Sequence, residues 1–371
     1  MGRNQETSRC FKNFRFCVTL IHDRFLFAHL SDLHVALRTT PPIRALLNKR
    51  LLGFLAWRMH RRHRYRPEIL DFLRADLDRV RPDHVVITGD LTTLALPVEF
   101  EETERQLYAF GGPERVSLVP GNHDAYVPLR WAHSWAAWAD YMSTEAAGSR
   151  PRAPTDFTDF PWVRRRSFVA FIGLSSAVPT KSFLAQGKLG ATQLSRLEHE
   201  LTRLAQEGLF RVILVHHSPI DETIRRRKRL ADAAELRAVV RRAGAELILH
   251  GHEHHARAAT VSGPNGAVPV LGVAPAAAMP RPGDANSGAQ YHVLEIANGE
   301  KDWKVSLTAH RYDAAAHAFL RGTERCFQIG RATGPWPGGV DSAPALDSSC
   351  RTPAPQASRQ ETSASALTEN G

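Results

Sequence analysis

The sequence predicts an α/β fold in which two mixed β-sheets pack face to face and are flanked by helices. Up to about residue 250, short apolar segments typical of buried strands alternate with segments of helical periodicity, which indicates parallel βαβ units. After His254, apolar segments follow one another without helices between them, which indicates consecutive strands. Parallel units followed by consecutive strands favour two packed sheets with the helices outside.

The individual elements follow from these patterns. The apolar segments that predict strands lie at 25–30, 84–88, 116–119, 168–174, 212–215, 247–249, 268–273, 291–296 and 303–310. The helical patterns lie at 67–80, 98–110, 190–207 and 231–243, and Pro or Gly residues flank each of them.

The domain organisation is predicted from the chain length and from the distribution of candidate ligands. A chain of 371 residues with 43% hydrophobic content can bury a large core. The ligands described below are interleaved along most of the chain, which predicts one catalytic domain over residues 23–312 with an insertion at 38–66. Residues 1–22 and 313–333 are predicted to be extensions, the first poorly ordered. Residues 334–371 are rich in Gly, Pro, Ser, Ala and Thr and are predicted to be disordered.

Cysteine usage and hydropathy predict a cytoplasmic protein. Cys10, Cys17, Cys326 and Cys350 lie outside every motif and lack the spacing of a metal site, so reduced thiols are expected. The apolar run at 16–21 is shorter than the core of a secretory signal, which needs about 7 to 15 residues. No stretch reaches the roughly 18 apolar residues of a spanning helix. Peripheral binding at the inner face of the membrane is the alternative location.

Five short motifs, each following a predicted strand, contain residues that bind metals. They are Asp32-Leu33-His34, Gly89-Asp90, Gly121-Asn122-His123-Asp124, His216-His217 and His250-Gly251-His252-Glu253-His254. Histidine and carboxylate side chains both bind borderline divalent ions, and a strand that ends in a tight turn holds such ligands on a rigid edge. Together the motifs predict a two-metal site.

The order of these motifs resembles that of the calcineurin-like metallophosphoesterase superfamily, in its bacterial branch of cyclic-nucleotide and glycerophosphodiester phosphodiesterases. One motif alone would be weak, but five in a fixed order are specific. The resemblance covers roughly residues 25 to 310 and implies a four-layer sandwich fold. It also implies hydrolysis of a phosphodiester by in-line attack of a hydroxide that bridges two metals.

The resemblance also implies which residues hold the metals. The ligands of the first metal would be Asp32, His34, Asp90 and His254, and those of the second would be Asp90, Asn122, His216 and His252. The shared carboxylate would neutralise part of the charge of two cations, and the remaining positive charge would attract an anionic phosphoester. Mn, Fe and Zn all suit this ligand set.

Two residues are predicted to act beside the metals. His123 is predicted to be the general acid that protonates the leaving group, and Asp124 is predicted to hold the tautomer of His123. The adjacent His216 and His217 point to opposite faces of the chain, so only one should be a ligand. The Ser218-Pro219 sequence that follows favours His216.

The insertion at 38–66 combines basic and apolar residues. No acidic residue lies between Asp32 and Glu68, whereas arginines accumulate among apolar residues at helical spacing. We expect a helix whose apolar stripe docks on the catalytic domain and whose arginines face solvent. The alternative is an interfacial helix near the active site that contacts anionic lipid or a large polyanionic substrate.

The formal net charge of +10 favours an anionic partner, but no specific nucleic-acid-binding motif accompanies it. A phosphodiesterase is therefore the leading prediction. A hydrolase of nucleotide-linked lipid pyrophosphates, of the UDP-diacylglucosamine type, is an alternative that the basic insertion supports. A nuclease is disfavoured because no accessory DNA-binding domain is evident. The alternative of another class is a non-catalytic binding scaffold, although every matched motif position is filled.

Overall fold

Two six-stranded β-sheets form the centre of the structure, which is a computed structural model describing residues 24–35, 40–145, 149–220, 224–281, 284, 287–299 and 302–331. The strands are β1 (Arg24–Leu30), β2 (His84–Thr88), β3 (Val116–Val119), β4 (Trp162–Arg166), β5 (Val169–Gly173), β6 (Phe210–Leu214), β7 (Leu247–His250), β8 (Arg257–Gly263), β9 (Gly266–Gly272), β10 (Gln290–Asn298), β11 (Asp302–Asp313) and β12 (Ala318–Gly330). The predicted extension at 1–22 and the predicted tail at 334–371 lie outside the described residues.

Both sheets are mixed, as predicted. The first has the order β12-β11-β10-β1-β2-β3, in which β1, β2 and β3 are parallel. The second has the order β4-β5-β6-β7-β9-β8, in which β5, β6, β7 and β9 are parallel. The sheets meet through aromatic side chains, among which Phe27 of β1 contacts Phe171 of β5 edge to face at 5.2 Å.

Helices cover the two outer faces and complete the predicted four layers. The helices are α1 (Arg50–Ala56), α2 (Arg62–Arg64), α3 (Pro67–Val80), α4 (Pro97–Phe110), α5 (Ala191–Gln206) and α6 (Ala233–Ala243). The buried side chains of α3 and α4 belong to the same core as those of the first sheet, and those of α5 and α6 pack with the second sheet. Among the described residues, no helix has the length and apolar character needed to cross a bilayer.

The predicted C-terminal boundary of the domain is too early. Residues 318–330 form β12, which pairs with β11 and is the edge strand of the first sheet. Its residues are mostly exposed, so it lacks the apolar run by which the predicted strands were recognised. The catalytic domain therefore extends beyond residue 312 and includes most of the predicted extension at 313–333.

The expectation that the apolar stripe of the insertion docks on the domain is wrong for most of the stripe. The segment does form a helix, in which α1 continues through a π-helical turn at Trp57–Arg61 into α2. Leu46 is buried, and Phe54 and Trp57 are half buried. The other large apolar side chains nevertheless face solvent, and they are Ile43, Leu47, Leu51, Leu52, Leu55 and Met59.

A buried polar cluster joins α3 to the first sheet. Oδ2 of Asp76 accepts hydrogen bonds from the Tyr291 hydroxyl at 2.6 Å and from Nδ1 of His310 at 2.7 Å. Burial alone would raise the pKa of Asp76, but the hydrogen bonds from His310 and Tyr291 outweigh it and lower the pKa. Because the pKa is lower in the folded state, the ionised carboxylate stabilises the fold.

The Asp76→Asn substitution should reduce the free energy of unfolding by about 1 to 3 kcal/mol near neutral pH, because a buried charge-assisted cluster is broken. The stabilisation is present above the unfolded pKa of about 3.9 and is lost as the pH falls through the lower folded value. Denaturant unfolding between neutral pH and about pH 3 measures both effects. The variant should lose less stability than the wild type on acidification, whereas Asp78→Asn, at an exposed position of α3, should behave like the wild type.

Candidate metal centre

The candidate ligands lie in loops that follow the carboxyl ends of strands, and several of these loops have an unusual backbone. Asp32, His34, Asp90, His252 and His254 all have positive φ, between 43° and 68°. Non-glycine residues adopt this conformation only when their surroundings hold them there, and such residues cluster at functional sites. The turns at the strand ends therefore aim these side chains at a common point.

Close contact between two loops explains one of the motif glycines. A Cβ atom at Gly121 would collide with the carboxylate and the backbone nitrogen of Asp90. The absence of a side chain lets the loop after β3 approach the loop after β2, and the backbone N–H of His123 then donates to Oδ1 of Asp90 at 2.7 Å.

The first predicted ligand group converges. Potential ligand atoms of Asp32, His34, Asp90 and His254 all lie within 4.8 Å of one another. Nε2 of His254 lies 3.1 Å from Oδ1 of Asp32. Nε2 of His34 lies 3.9 Å from that oxygen and 3.9 Å from Oδ2 of Asp90.

The second predicted group shares Asp90 with the first. Ligand atoms of Asp90, His216 and His252 also lie within 4.8 Å of one another. Nε2 of His216 is 3.3 Å from Oδ2 of Asp90 and 3.3 Å from Oδ1 of Asn122. The structure therefore brings together all seven predicted ligands, with Asp90 between the two groups.

Backbone carbonyls orient three of the histidine rings. Nδ1 of His34 lies 3.2 Å from the Thr92 carbonyl, Nδ1 of His216 lies 2.6 Å from the Thr88 carbonyl, and Nε2 of His252 lies 2.9 Å from the Lys228 carbonyl. A ring nitrogen that donates to a carbonyl leaves the lone pair of the other nitrogen available for a metal. These contacts favour the tautomers that ligation requires.

Tyr65 orients the fourth histidine and was not identified from the sequence. Its hydroxyl lies 3.2 Å from Nδ1 of His254, and its ring packs edge to face on His34 at 4.6 Å. Tyr65 lies at the end of the basic insertion, which therefore reaches the centre of the site. No sequence motif marks this residue, because its partners are more than 180 residues away or in another loop.

The electrostatics of the centre suit cations. Burial alone would raise the pKa of Asp90, but His216 and His123 lower it well below its usual range. Burial would lower the pKa of His216, but the Asp90 carboxylate raises it to about 9. Burial would raise the pKa of Asp32, but His254 lowers it to about 2.

The donor set fits two divalent ions. Within the described part of the chain, Oδ1 of Asp32 is buried and accepts no hydrogen bond, although His254 faces it. Two buried carboxylates, one amide oxygen and four imidazoles form the set, which suits Mn, Fe or Zn. A cation beside Asp90 would replace the proton that the carboxylate now favours on His216.

The structure corrects the role of Asp124. Its carboxylate accepts hydrogen bonds from the backbone amides of Leu91, Thr92 and Gly121. Nδ1 of His123 instead lies 2.7 Å from the carbonyl of Thr93, so a carbonyl holds the position predicted for Asp124. Burial and the charge of Asp90 raise the pKa of Asp124 to about 7. Asp124 fastens the loops after β2 and β3 to each other, and it does not set the His123 tautomer.

His123 lies beside the ligands, whereas His217 is directed elsewhere. The His123 ring contacts the His34 ring at 4.9 Å and stacks on Tyr126 at 5.4 Å. Nδ1 of His217 lies 2.7 Å from the Ser176 hydroxyl, and burial together with His216 lowers the pKa of His217 to about 3. The geometry favours His216 over His217 as the ligand.

A cleft of about 240 Å³ opens beside Asn122 and His123. The other side chains on its walls come from the insertion, from the loop after β3 and from two loops of the second sheet. They include Lys49, Leu52, Tyr126, Phe183, Arg227 and Lys228. The cleft therefore has basic groups and apolar groups next to the candidate general acid.

Comparisons with known proteins identify the family and the fold. A family model described as calcineurin-like phosphoesterase matches residues 25–256. A dimetal phosphatase from Danio rerio is 14% identical over 83% of this chain and 99% of its own, with a TM-score of 0.54, which shows a shared fold. Calcineurin-like phosphoesterase YfkN from Bacillus subtilis is 11% identical over 83% of this chain and 90% of its own, with a TM-score of 0.38, too low to support an inference. No curated protein matches the chain.

The Asp90→Asn substitution should reduce the bound metal from two ions to one or none, because the amide cannot neutralise two cations. Metal content after purification in Mn²⁺, measured by mass spectrometry, tests this directly. The matched control Asp78→Asn should keep the wild-type metal content. Two ions bound to a folded Asp90→Asn variant would contradict the bridging role.

Proposed function

Because the chain belongs to the calcineurin-like phosphoesterase family, we propose that it hydrolyses a phosphodiester. Its family and its ligand groups support the coarser function, metal-dependent hydrolysis of a phosphoric ester. The observation that carries the proposal is the position of Asp90, between two ligand groups and beside His123. When bound by the two ligand groups that share Asp90, two divalent ions would acidify water and so supply the nucleophile for in-line attack on phosphorus.

The residues of the chain bind and orient the ester and move one proton. Nδ1 of His123 faces the carbonyl of Thr93 at 2.7 Å, which fixes the ring and leaves Nε2 for the leaving oxygen. The ring of Tyr126 stacks on the ring of His123. His123 is therefore placed to protonate the leaving alkoxide.

The shape and charge of the cleft support a diester. A monoester has one substituent on phosphorus, whereas a diester needs room for a second one beside the leaving group. The cleft beyond Asn122 and His123, about 240 Å³ in volume, offers that room. Arg227 and Lys228 on its wall would attract an anionic substituent.

The apolar side chains of the cleft favour a second candidate. Leu52 and Phe183 line the same cleft, and both are largely exposed. Apolar groups beside a phosphate site suit the acyl chains of a nucleotide-linked lipid pyrophosphate of the UDP-diacylglucosamine type. The non-catalytic scaffold remains the alternative of another class, and it requires that no ester is hydrolysed in the presence of metals.

With Mn²⁺ supplied, kcat/KM for bis(p-nitrophenyl) phosphate should exceed that for p-nitrophenyl phosphate by at least about tenfold, since the site accommodates the second substituent. Steady-state assays of both esters, with Asp90→Asn as the blank, give the ratio. A preference for the monoester would contradict the diester proposal. If the metal-loaded protein hydrolyses none of these esters and does not hydrolyse UDP-diacylglucosamine, the result would favour the non-catalytic scaffold.

His123→Ala should retain both metals and lower kcat by roughly two to four orders of magnitude for diesters with an alkoxide leaving group. The loss should be smaller for p-nitrophenolate, which leaves without a proton. The matched control His199→Ala, at an exposed position of α5, should be neutral. Equal losses for both leaving groups would show that His123 positions the substrate and does not act as the acid.

A further inference from the structure

The insertion presents an apolar face to solvent. Ile43, Leu47 and Met59 are 81%, 78% and 61% exposed, and the side chains of Leu51 and Leu55 are also exposed. Leu51, Leu55 and Met59 follow a spacing of four residues, so they share one side of the helical segment. Six of the large exposed apolar side chains in the described chain belong to this short segment. Such clustering marks an interaction surface.

The opposite side of the segment contacts the catalytic domain through polar groups and a glycine. Nζ of Lys49 donates to the Thr180 hydroxyl at 2.9 Å, and Nε of Arg50 donates to the Leu94 carbonyl at 2.8 Å. A Cβ atom at Gly53 would collide with the Tyr126 hydroxyl, so the helix backbone lies close to the domain there. The helix is therefore attached by its polar side, and its apolar side is turned outward.

Basic residues surround the apolar face. Arg44, Arg58 and Arg62 are exposed on the segment, and no acidic residue occurs between Asp32 and Glu68. The loop at 225–227 adds three exposed arginines, and its Arg227 lines the cleft opposite Leu52. An apolar helical face with cationic margins is typical of helices that lie in the plane of a membrane interface.

We propose that residues 40–66 dock the protein on an anionic phospholipid bilayer, with the apolar face in the boundary between headgroups and acyl chains. The cleft beside His123 then opens at the lipid surface, because Leu52 and Phe183 belong both to its walls and to the exposed apolar surface. This binding does not depend on which ester is hydrolysed.

Charge complementarity favours lipid over a second copy of the chain. A symmetric dimer through this face would place Arg58 and Arg62 of one copy near the same residues of the other, and the segment has no acidic residue to compensate. Anionic headgroups neutralise the same arginines while the acyl region accepts the apolar side chains.

Sedimentation with vesicles tests the proposal. The wild type at low salt should bind vesicles of phosphatidylcholine and phosphatidylglycerol, and it should bind pure phosphatidylcholine more weakly. Leu51→Ser/Leu55→Ser/Met59→Ser should lower the partition coefficient by at least about tenfold by removing the apolar contribution. Arg58→Glu/Arg62→Glu should also bind more weakly and should flatten the dependence on salt.

Matched controls lie elsewhere on the surface. Tyr108→Ser/Leu320→Ser removes exposed apolar groups from α4 and β12, and Arg241→Glu reverses an exposed charge on α6. These controls should bind like the wild type. Both insertion variants should hydrolyse bis(p-nitrophenyl) phosphate at the wild-type rate, which shows that they are folded and separates this proposal from the phosphodiesterase proposal.

Three outcomes would overturn the proposal. The first is a wild type that does not co-sediment with phosphatidylglycerol-containing vesicles at low salt. The second is a loss of binding in the controls as large as that in the insertion variants. The third outcome is a wild-type dimer in analytical ultracentrifugation that the Ser variant abolishes, which would assign the face to a second copy.

Discussion

The buried carboxylate of Asp90 is the group on which the rest of the site depends. Removing a charge from water is costly, and burial alone would raise its pKa. His216 at 3.3 Å, His34 at 3.9 Å and the backbone N–H of His123 at 2.7 Å offset that cost. Each of these groups lies in a loop after a different strand, and the strands belong to both sheets. The two sheets must therefore be packed together before the charge is stabilised. The same arrangement places ligands on both sides of Asp90.

Asp124 connects the loops on either side of Asp90 and His123. Its carboxylate accepts hydrogen bonds from backbone amides of the loops after β2 and β3, and this holds Asp90 and His123 in adjacent positions. The sequence alone could not reveal this, because a Gly-Asn-His-Asp motif shows which residues are neighbours along the chain but not where a carboxylate points. The Thr93 carbonyl that replaces Asp124 beside His123 is a backbone group, and a backbone group leaves no trace in the residue pattern.

The candidate metal ligands could be assigned from the sequence because five motifs in a fixed order resemble those of the family. Each candidate lies two to four residues after the end of a strand, and strands with strong apolar patterns are readily found. The predicted strands have such apolar patterns. In contrast, β8 and β12 are mostly exposed and β4 contains three arginines, and these three strands were missed. Helical periodicity also located the insertion, but it could not determine which side of the helix faces the protein. Lys49, Arg50 and Gly53 decide this through contacts with residues distant in the sequence. Tyr65 was missed for the same reason.

The insertion connects the outer surface to the metal centre within one short segment. On its inner side, the Tyr65 hydroxyl contacts His254, and Nζ of Lys49 lies 4.4 Å from the centroid of the Tyr126 ring. Tyr126 in turn stacks on His123. Its outer side carries the apolar and basic groups. Direct contacts therefore connect the segment to the metal ligand His254 and, through Tyr126, to the candidate acid His123. Because the two sides use different residues, substitutions can change the outer side without removing the contacts that the inner side makes with His254 and Tyr126.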